Sequence, residues 1–208
     1  MLGTGSVGTT LAPAFARLGH EVTLGTRDPD ATRAREGWSS EIPLKAYVDC
    51  ADAADLVVNA TNGAASLSAL GMVGADALAG RVLLDVANPL DFSQGFPPTL
   101  SVKDTDSLAE GIQRAFPGTR VVKSLNIVTA QVMVDPSRVG DGSTTMFLAG
   151  DDADARSTVR ELLEALGWQD VVEFEDLSAA RGMEMWLPLW VRLMGRLGTA
   201  DFNLKIVR

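Results

Sequence analysis

Gly3-Thr4-Gly5-Ser6-Val7-Gly8, with the stretch that follows it to Gly19, decides how the rest of the chain is read. Glycines stand at the first, third and sixth places of the loop, and Leu11, Phe15 and Leu18 then recur at helical spacing. In a dinucleotide-binding turn the first glycine permits the tight bend. The second lets a pyrophosphate approach the backbone, and the third lets helix and strand pack closely. The helix N-terminus adds unpaired N–H groups and the positive end of its dipole. Glycine-rich turns are common, so context carries the reading: Gly19 supplies a stop, and residues 21–25 (EVTLG) read as the next strand. Only Met1 and Leu2 precede the loop, against a usual strand of about 5–6 residues. Either the first strand is a stub, or Met1 is an internal position of a longer one, and the second is the expectation here. Pro13 removes a hydrogen bond inside the helix and is expected to kink it.

The end of the second strand then selects the cofactor. An Asp or Glu there holds the ribose 2′-hydroxyl of NAD, whereas a nearby Arg accommodates the 2′-phosphate of NADP. The chain reads Gly25-Thr26-Arg27-Asp28-Pro29, with Asp28 past the usual acid position. A threonine hydroxyl and a guanidinium suit a dianionic phosphate. Arg33 and Arg35, on the helix that Asp28-Pro29 starts, could add to it, although a surface helix is the simpler place for Arg35. NADP(H) is the cofactor read here.

At 208 residues the chain is one large domain, or a dinucleotide domain with a modest addition, divided here at residues 1–175 and 176–208. Its 46% apolar and 22% charged residues suit a globular protein with a sizeable core. A net charge of −9 with no basic stripe argues against nucleic acid. No apolar run of membrane-spanning length and no signal peptide stand out, so no membrane association and a cytoplasmic location are expected. Cys50 stands alone and no Cys/His cluster has metal-ligand spacing, so no metal is expected.

Strand and helix signals alternate along the chain, which predicts an α/β fold: a doubly wound, Rossmann-like parallel sheet with a small, mainly helical C-terminal element. Strands are predicted near 43–48 and at 55–61 (DLVVNAT), 81–87 (RVLLDVA), 120–125 (RVVKSL), 144–150 (TTMFLAG) and 170–174 (DVVEF). Helices are predicted at 29–37, from Gly63 to about Leu78, and at 107–116 and 151–166. The loop after Asn88-Pro89, with Phe92, Gly95, Phe96, Pro97 and Pro98, is long enough to lie over a site.

Ligands of open α/β sheets bind beyond the carboxyl ends of the strands. Three such ends carry small or amide-bearing residues: Ala60-Thr61-Asn62-Gly63, Ala87-Asn88-Pro89 and Asn126-Ile127-Val128-Thr129. Each alone would be turn chemistry, but three together along one edge can cradle a nicotinamide ribose and carboxamide. Catalytic candidates are scarce. His20 is the only histidine and Tyr47 the only tyrosine, which leaves no Tyr-x-x-x-Lys pair, and no serine sits in a Gly-x-Ser-x-Gly elbow. A reductase of this kind suits an acceptor that needs only hydride delivery, such as a flavin-like ring, with catalysis by positioning.

The loop GTGSVG, the strand end LGTRDP, the segments LDVANPLDF and VVKSLN, the turn AGDDADA and the tail FNLKIVR together resemble the family of F420-dependent NADP oxidoreductases. The resemblance spans the whole chain and reaches, more weakly, the cytosolic reductase domains of membrane ferric reductases. It implies that Thr4, Gly5, Ser6 and Val7 hold the pyrophosphate, Thr26 and Arg27 the 2′-phosphate, and that Thr61, Asn88 and Ala130 lie in segments lining the nicotinamide. It also implies coenzyme F420, a deazaflavin, as co-substrate. Two departures stand out. Archaeal members carry His where this chain has Asn126, and a lysine near the 2′-phosphate where it has Ala31, with Arg33 as a substitute.

The site expected on these grounds comprises Gly3, Thr4, Gly5, Ser6, Val7, Gly8, Thr26, Arg27, Arg33, Thr61, Asn62, Asn88 and Ala130 for the cofactor, and Asn126 for positioning the acceptor. Residues 179–197 are apolar nearly all round, and are expected to form a helix at a homodimer interface, bent or broken at Pro188. The expected function is hydride transfer between NADP(H) and a small-molecule acceptor, F420 by resemblance. A flavin, quinone or ferric acceptor, or a redox sensor that binds NADP(H) without turnover, are the alternatives.

Overall fold

The computed structural model describes residues 1–51 and 54–208. In chain order the first half comprises α1 (Ser6–Arg17), β1 (Leu24–Thr26), α2 (Pro29–Arg33), β2 (Leu44–Ala46), α3 (Tyr47–Ala51), β3 (Leu56–Asn59), α4 (Gly63–Val73), α5 (Ala75–Leu78) and β4 (Val82–Asp85). The second half comprises β5 (Leu90–Asp91), β6 (Thr99–Leu100), α6 (Leu108–Ala115), β7 (Arg120–Ser124), α7 (Ala130–Val134), β8 (Thr145–Gly150), α8 (Ala153–Ala165), β9 (Asp170–Phe174), α9 (Ala180–Met185) and α10 (Leu187–Leu197). Strands β3-β4-β7-β8-β9 lie side by side, and β1 pairs with β2. Leu2 joins the two groups, bridging in parallel to Gly25 on one side and Asn59 on the other. The residue before the glycine loop therefore occupies the central strand position of a doubly wound sheet, the switch point at which such sheets bind ligands.

The strands are short and apolar on both faces, as in parallel sheets covered on both sides. Val58, Leu84 and Val122 pack with Leu11, Phe15, Val132 and Val159 of α1, α7 and α8. Their neighbours Val57, Leu83 and Val121 pack with Leu70, Leu78 and Ile112 on the opposite face. Each such side chain contributes about 1.5–3 kcal/mol on burial. The glycine loop is thus held by two independent apolar layers.

The sheet is not wholly parallel: β8 runs antiparallel to β7, and β9 is parallel to β8. The reversal follows the link between β7 and β8. That link runs over residues 125–144, with α7 packed against α1 on one face of the sheet, and returns the chain antiparallel beside β7. Helix α1 runs through Pro13 without a break. The C-terminal helical stretch is two helices meeting at Trp186, with Pro188 in the first turn of α10, where its missing N–H is harmless. Of α10, Leu187 and Val191 are buried while Leu189 and Leu197 are about half exposed, so it is one-sided rather than apolar all round. The loop after Pro89 is pinned by the two-residue β5–β6 pair and by the Ser101 N–H donating to Pro89 O at 2.9 Å.

Candidate functional site

Sterics make the glycine loop what it is. Gly3 has φ +113°, and a Cβ there would lie 2.4 Å from Ala60 O. A Cβ on Gly8 would lie 2.1 Å from Gly3 O, whereas one on Gly5 would meet nothing. Gly3 and Gly8 are required by the fold. Gly5 faces open space, where a phosphate could approach its backbone. Helix α1 starts at Ser6 with Gly5 as a cap that offers no side-chain acceptor, so the first-turn N–H groups have no intrahelical partner and point outward. That is a place for an anion.

Beyond this loop lies a cavity of about 440 Å³, bordered by Thr4, Thr26, Arg27, Arg35, Tyr47 and Ser68 among others. Among the described residues its one acid is Asp28, of which a carboxylate oxygen caps α2 by accepting from the Ala31 N–H at 2.9 Å. The Thr26 and Thr32 hydroxyls are 2.9 Å apart, and Thr32 donates to Asp28 O. The Arg27 guanidinium makes no hydrogen bond or ion pair among the described residues. Arg35 donates to Thr4 O at 3.1 Å and lies over the Trp38 ring at 4.8 Å. Burial raises the Tyr47 phenol above its ordinary value, opposed by the nearby charge of Arg27. Arg33, by contrast, pairs with Asp30 at 2.8 Å, donates to Leu44 O and does not border the cavity. Arg35 holds the place expected of it.

At the strand edge, Thr61 Oγ1 donates to Asn59 Oδ1 at 2.7 Å and lies 3.0 Å from Ser66 Oγ, while Asn62 caps α4 by accepting from the Ala64 N–H. Both side chains serve their own loop. Asn88 and Asn126 come together: Asn126 Nδ2 donates to Asn88 Oδ1 at 2.9 Å, and Asn88 Nδ2 to Asn126 O at 2.8 Å. Leu125, just before, adopts φ +61°, a left-handed state that costs a non-glycine residue on the order of 1–3 kcal/mol. It turns the chain so that Asn126 meets Asn88. Asn126 Oδ1 and Thr129 Oγ1 are buried without a partner among the described residues, and Ala130 follows as the first residue of α7.

Asn126 Nδ2 also donates to Met183 O at 3.1 Å, which joins this edge to a second cavity. It measures about 350 Å³ and is lined by apolar side chains, including Ile127, Phe147, Met183, Met185, Trp186 and Leu204. A flat apolar ring fits such walls better than a charged ligand does.

Sequence reasoning passed over a fully buried row beneath the edge. Asn59, Asp85 and Lys123 stand in register on β3, β4 and β7. Asn59 Nδ2 donates to Asp85 Oδ1 at 2.8 Å, and Lys123 Nζ to Asp85 Oδ2 at 2.7 Å and to Ala87 O at 2.5 Å. Lys123 also pairs with Glu184 of α9 at 2.8 Å. Desolvation acts to lower the Lys123 ammonium's pKa, but Asp85 and Glu184 together outweigh it and raise it, keeping the group charged. The available signal was a polar residue directly after an apolar run: Asn59 in LVVN, Asp85 in VLLD and Lys123 in RVVKS.

Residues 1–89 match the family described as NADP oxidoreductase, coenzyme F420-dependent. A crystal structure at 1.70 Å from Arthrobacter sp. FB24, provisionally named an F420-dependent NADP-reductase, is 55% identical, with a TM-score of 0.97 over 100% of this chain and 97% of that one. The chain belongs to the F420-dependent NADP oxidoreductase family. It is therefore an NADP-linked oxidoreductase by family. The F420-dependent NADP reductase of Methanothermobacter marburgensis is 28% identical over 92% of this chain and 89% of its own length. The rat metalloreductase STEAP3 is 27% identical over 91% of this chain, which spans only 37% of that protein. Among the described residues of this family member, no helix is long and apolar enough to cross a membrane, and no group of three or more His, Cys, Asp or Glu could hold a metal.

Proposed function

We propose that this oxidoreductase passes hydride between NADP(H) and the deazaflavin ring of coenzyme F420. One observation carries the reading. A cavity bordered by Arg27 and Arg35 lies beyond the glycine loop, and an apolar cavity with ring-sized walls is lined by Met183, whose carbonyl oxygen accepts from Asn126 of the Asn88–Asn126 pair. Bound NADPH would supply a hydride from its reduced nicotinamide, with the acceptor's proton coming from water. The first-turn N–H groups of Ser6, Val7 and Gly8 hold the pyrophosphate, with Thr4 beside them at the open backbone of Gly5. Thr26 and Arg27 hold the 2′-phosphate, with Arg35 in the role expected of Arg33. Asn126 Oδ1 and Thr129 Oγ1 offer free acceptors to polar edges of the rings, and Ala130 leaves room beside them. Asn88 fixes the Asn126 amide, and Thr61 and Asn62 shape the loop opposite. No side chain here need act as proton donor, so catalysis is positioning and the exclusion of water.

The division at residue 175 follows from the same reading, with the C-terminal helices supplying the acceptor wall. Two copies would pair through α10, whose Leu189 and Leu197 are half exposed. The cytoplasm, where NADPH is held, is the setting this requires. Stopped-flow mixing of the NADPH-loaded protein with F420 tests the reading. Reduction of F420 within the dead time or over seconds is expected. No transfer to F420, beside brisk reduction of a flavin or ferric chelate, would replace the acceptor, and no transfer to any would favour a sensor.

A further inference from the structure

The buried row has no part in holding either ligand, yet it is costly to keep. Lys123 and Asp85 are wholly inaccessible to solvent and Glu184 nearly so. Apolar side chains of similar size in a central strand are often as stable as a buried charge network or more so. The row's connections show what it joins. At one end, Asn59 Oδ1 accepts from Thr61, on the loop opposite Gly3 and Gly8. At the other, Glu184 accepts from Lys123 and from the Leu108 and Ala109 N–H groups, which open α6, at 2.8 and 3.2 Å. Glu184 stands between Met183 and Met185, and all three of Met183, Met185 and Trp186 line the apolar cavity. Met183 O is also the atom that receives Asn126 Nδ2. A shift of Glu184 would therefore move the wall of that cavity relative to the strand edge.

We propose that Lys123, acting through Glu184, is a positioning residue that sets the ring-binding wall of α9 against the edge where the nicotinamide is delivered. This rests on the acceptor reading given above. The charges explain the choice of groups. One ammonium shared by two carboxylates leaves an excess negative charge, and the two α6 N–H groups at Glu184 offset it. Glu184 therefore has one stable place, and α9 is registered to β7 and α6 at once. A hydrophobic contact is non-directional and would not fix that register.

The test is Glu184→Gln, which keeps the shape but presents an amide NH₂ to donors on one side. Hydrogen exchange is followed in α9 and α1, and F420 and NADPH are titrated separately by calorimetry. We expect α9 amides to exchange at least tenfold faster with α1 unchanged. F420 should bind at least tenfold more weakly, and NADPH within twofold of wild type. Glu184→Asp keeps the charge and shortens the reach, so it should give the same pattern to a smaller degree, and it replaces the first variant should that one not fold. Unchanged α9 exchange, acceleration of α9 and α1 alike, or undiminished F420 affinity in a loosened variant would each overturn the assignment. Wild-type protein that fails to bind F420 while the variant's α9 loosens alone would retire the deazaflavin reading and support the anchor.

Discussion

Replacing Arg27 with alanine should separate the two nicotinamide dinucleotides. Its guanidinium borders the larger cavity and makes no hydrogen bond or ion pair among the described residues, so its removal breaks no native polar contact. Stability should change by no more than about 0.5 kcal/mol, as for an ordinary surface substitution. In the proposed complex the guanidinium meets only the 2′-phosphate, and a hydrogen bond to a charged group contributes about 1.5–3 kcal/mol. At about 1.4 kcal/mol per decade, NADPH should bind roughly 10- to 150-fold more weakly, and NADH within about twofold of wild type. Arg35→Ala should behave differently. Arg35 holds Thr4 O and packs on Trp38, so its loss loosens the glycine loop and should weaken both nucleotides, NADPH the more because a 2′-phosphate contact goes with it. Calorimetric titration of each variant with each nucleotide, beside thermal melts, reads all of this. Equal losses for NADPH and NADH in Arg27→Ala would refute the reasoning and give Arg27 a role in the loop instead.

Gly8→Ala places a methyl 2.1 Å from Gly3 O, and overpacking of this kind costs about 1–3 kcal/mol. Both nucleotides should then weaken together and the melting temperature fall, as measured by the same titrations and melts. Asn126→Ala strips the donor from Asn88 Oδ1 and Met183 O, so kcat with F420 should fall by more than NADPH affinity does, in steady-state and binding assays run side by side. Asp170 accepts from Thr145, Lys205 and Arg208, and these bonds hold its carboxyl down at about 2. Because the unfolded value is near 3.9, its contribution is complete above about pH 4 and is lost as the pH falls toward 2. Melting curves over that range should converge for wild type and Asp170→Asn, and a constant gap between them would show that Asp170 does not anchor the tail.

Most of the sheet was legible because burial on both faces writes itself as continuous apolar runs. Residues 55–61, 81–87 and 120–125 each contain the observed strand and overshoot it by a few residues. Strand direction has no such signature. The connection before β8, residues 125–144, is long enough for either direction, so no local pattern announces the reversal there. The β5–β6 pair has two residues per strand, too few for any period. Pro188 was legible as a mark but not as an outcome, since proline at a helix start and proline inside a helix look alike until the break at Trp186 is seen. Arg35 rather than Arg33 borders the larger cavity for a related reason. The predicted helix ran to residue 37, whereas α2 ends at Arg33. Arg35 therefore falls in the turn that carries it back to Thr4.

Asn59, Asp85, Lys123 and Glu184 mark where sequence reading ends. Each is a polar residue beside an apolar segment, and each by itself is best explained as a strand end or a helix face turned to water. They are 26, 38 and 61 positions apart in the chain, so no spacing links them. Pairing alone makes them one object: the register Asn59↔Asp85↔Lys123 puts three side chains on a single face, and α9 closes it with an opposite charge. A buried lysine then has to be ionised and paired, because leaving either carboxylate without it costs about 3–5 kcal/mol. What a single sequence shows as four unrelated exceptions becomes a constraint on how α9 sits, and through Met183 O on where Asn126 is held. Function in this fold is therefore written twice, once in a glycine loop that can be read directly and once in a register that only the paired strands display.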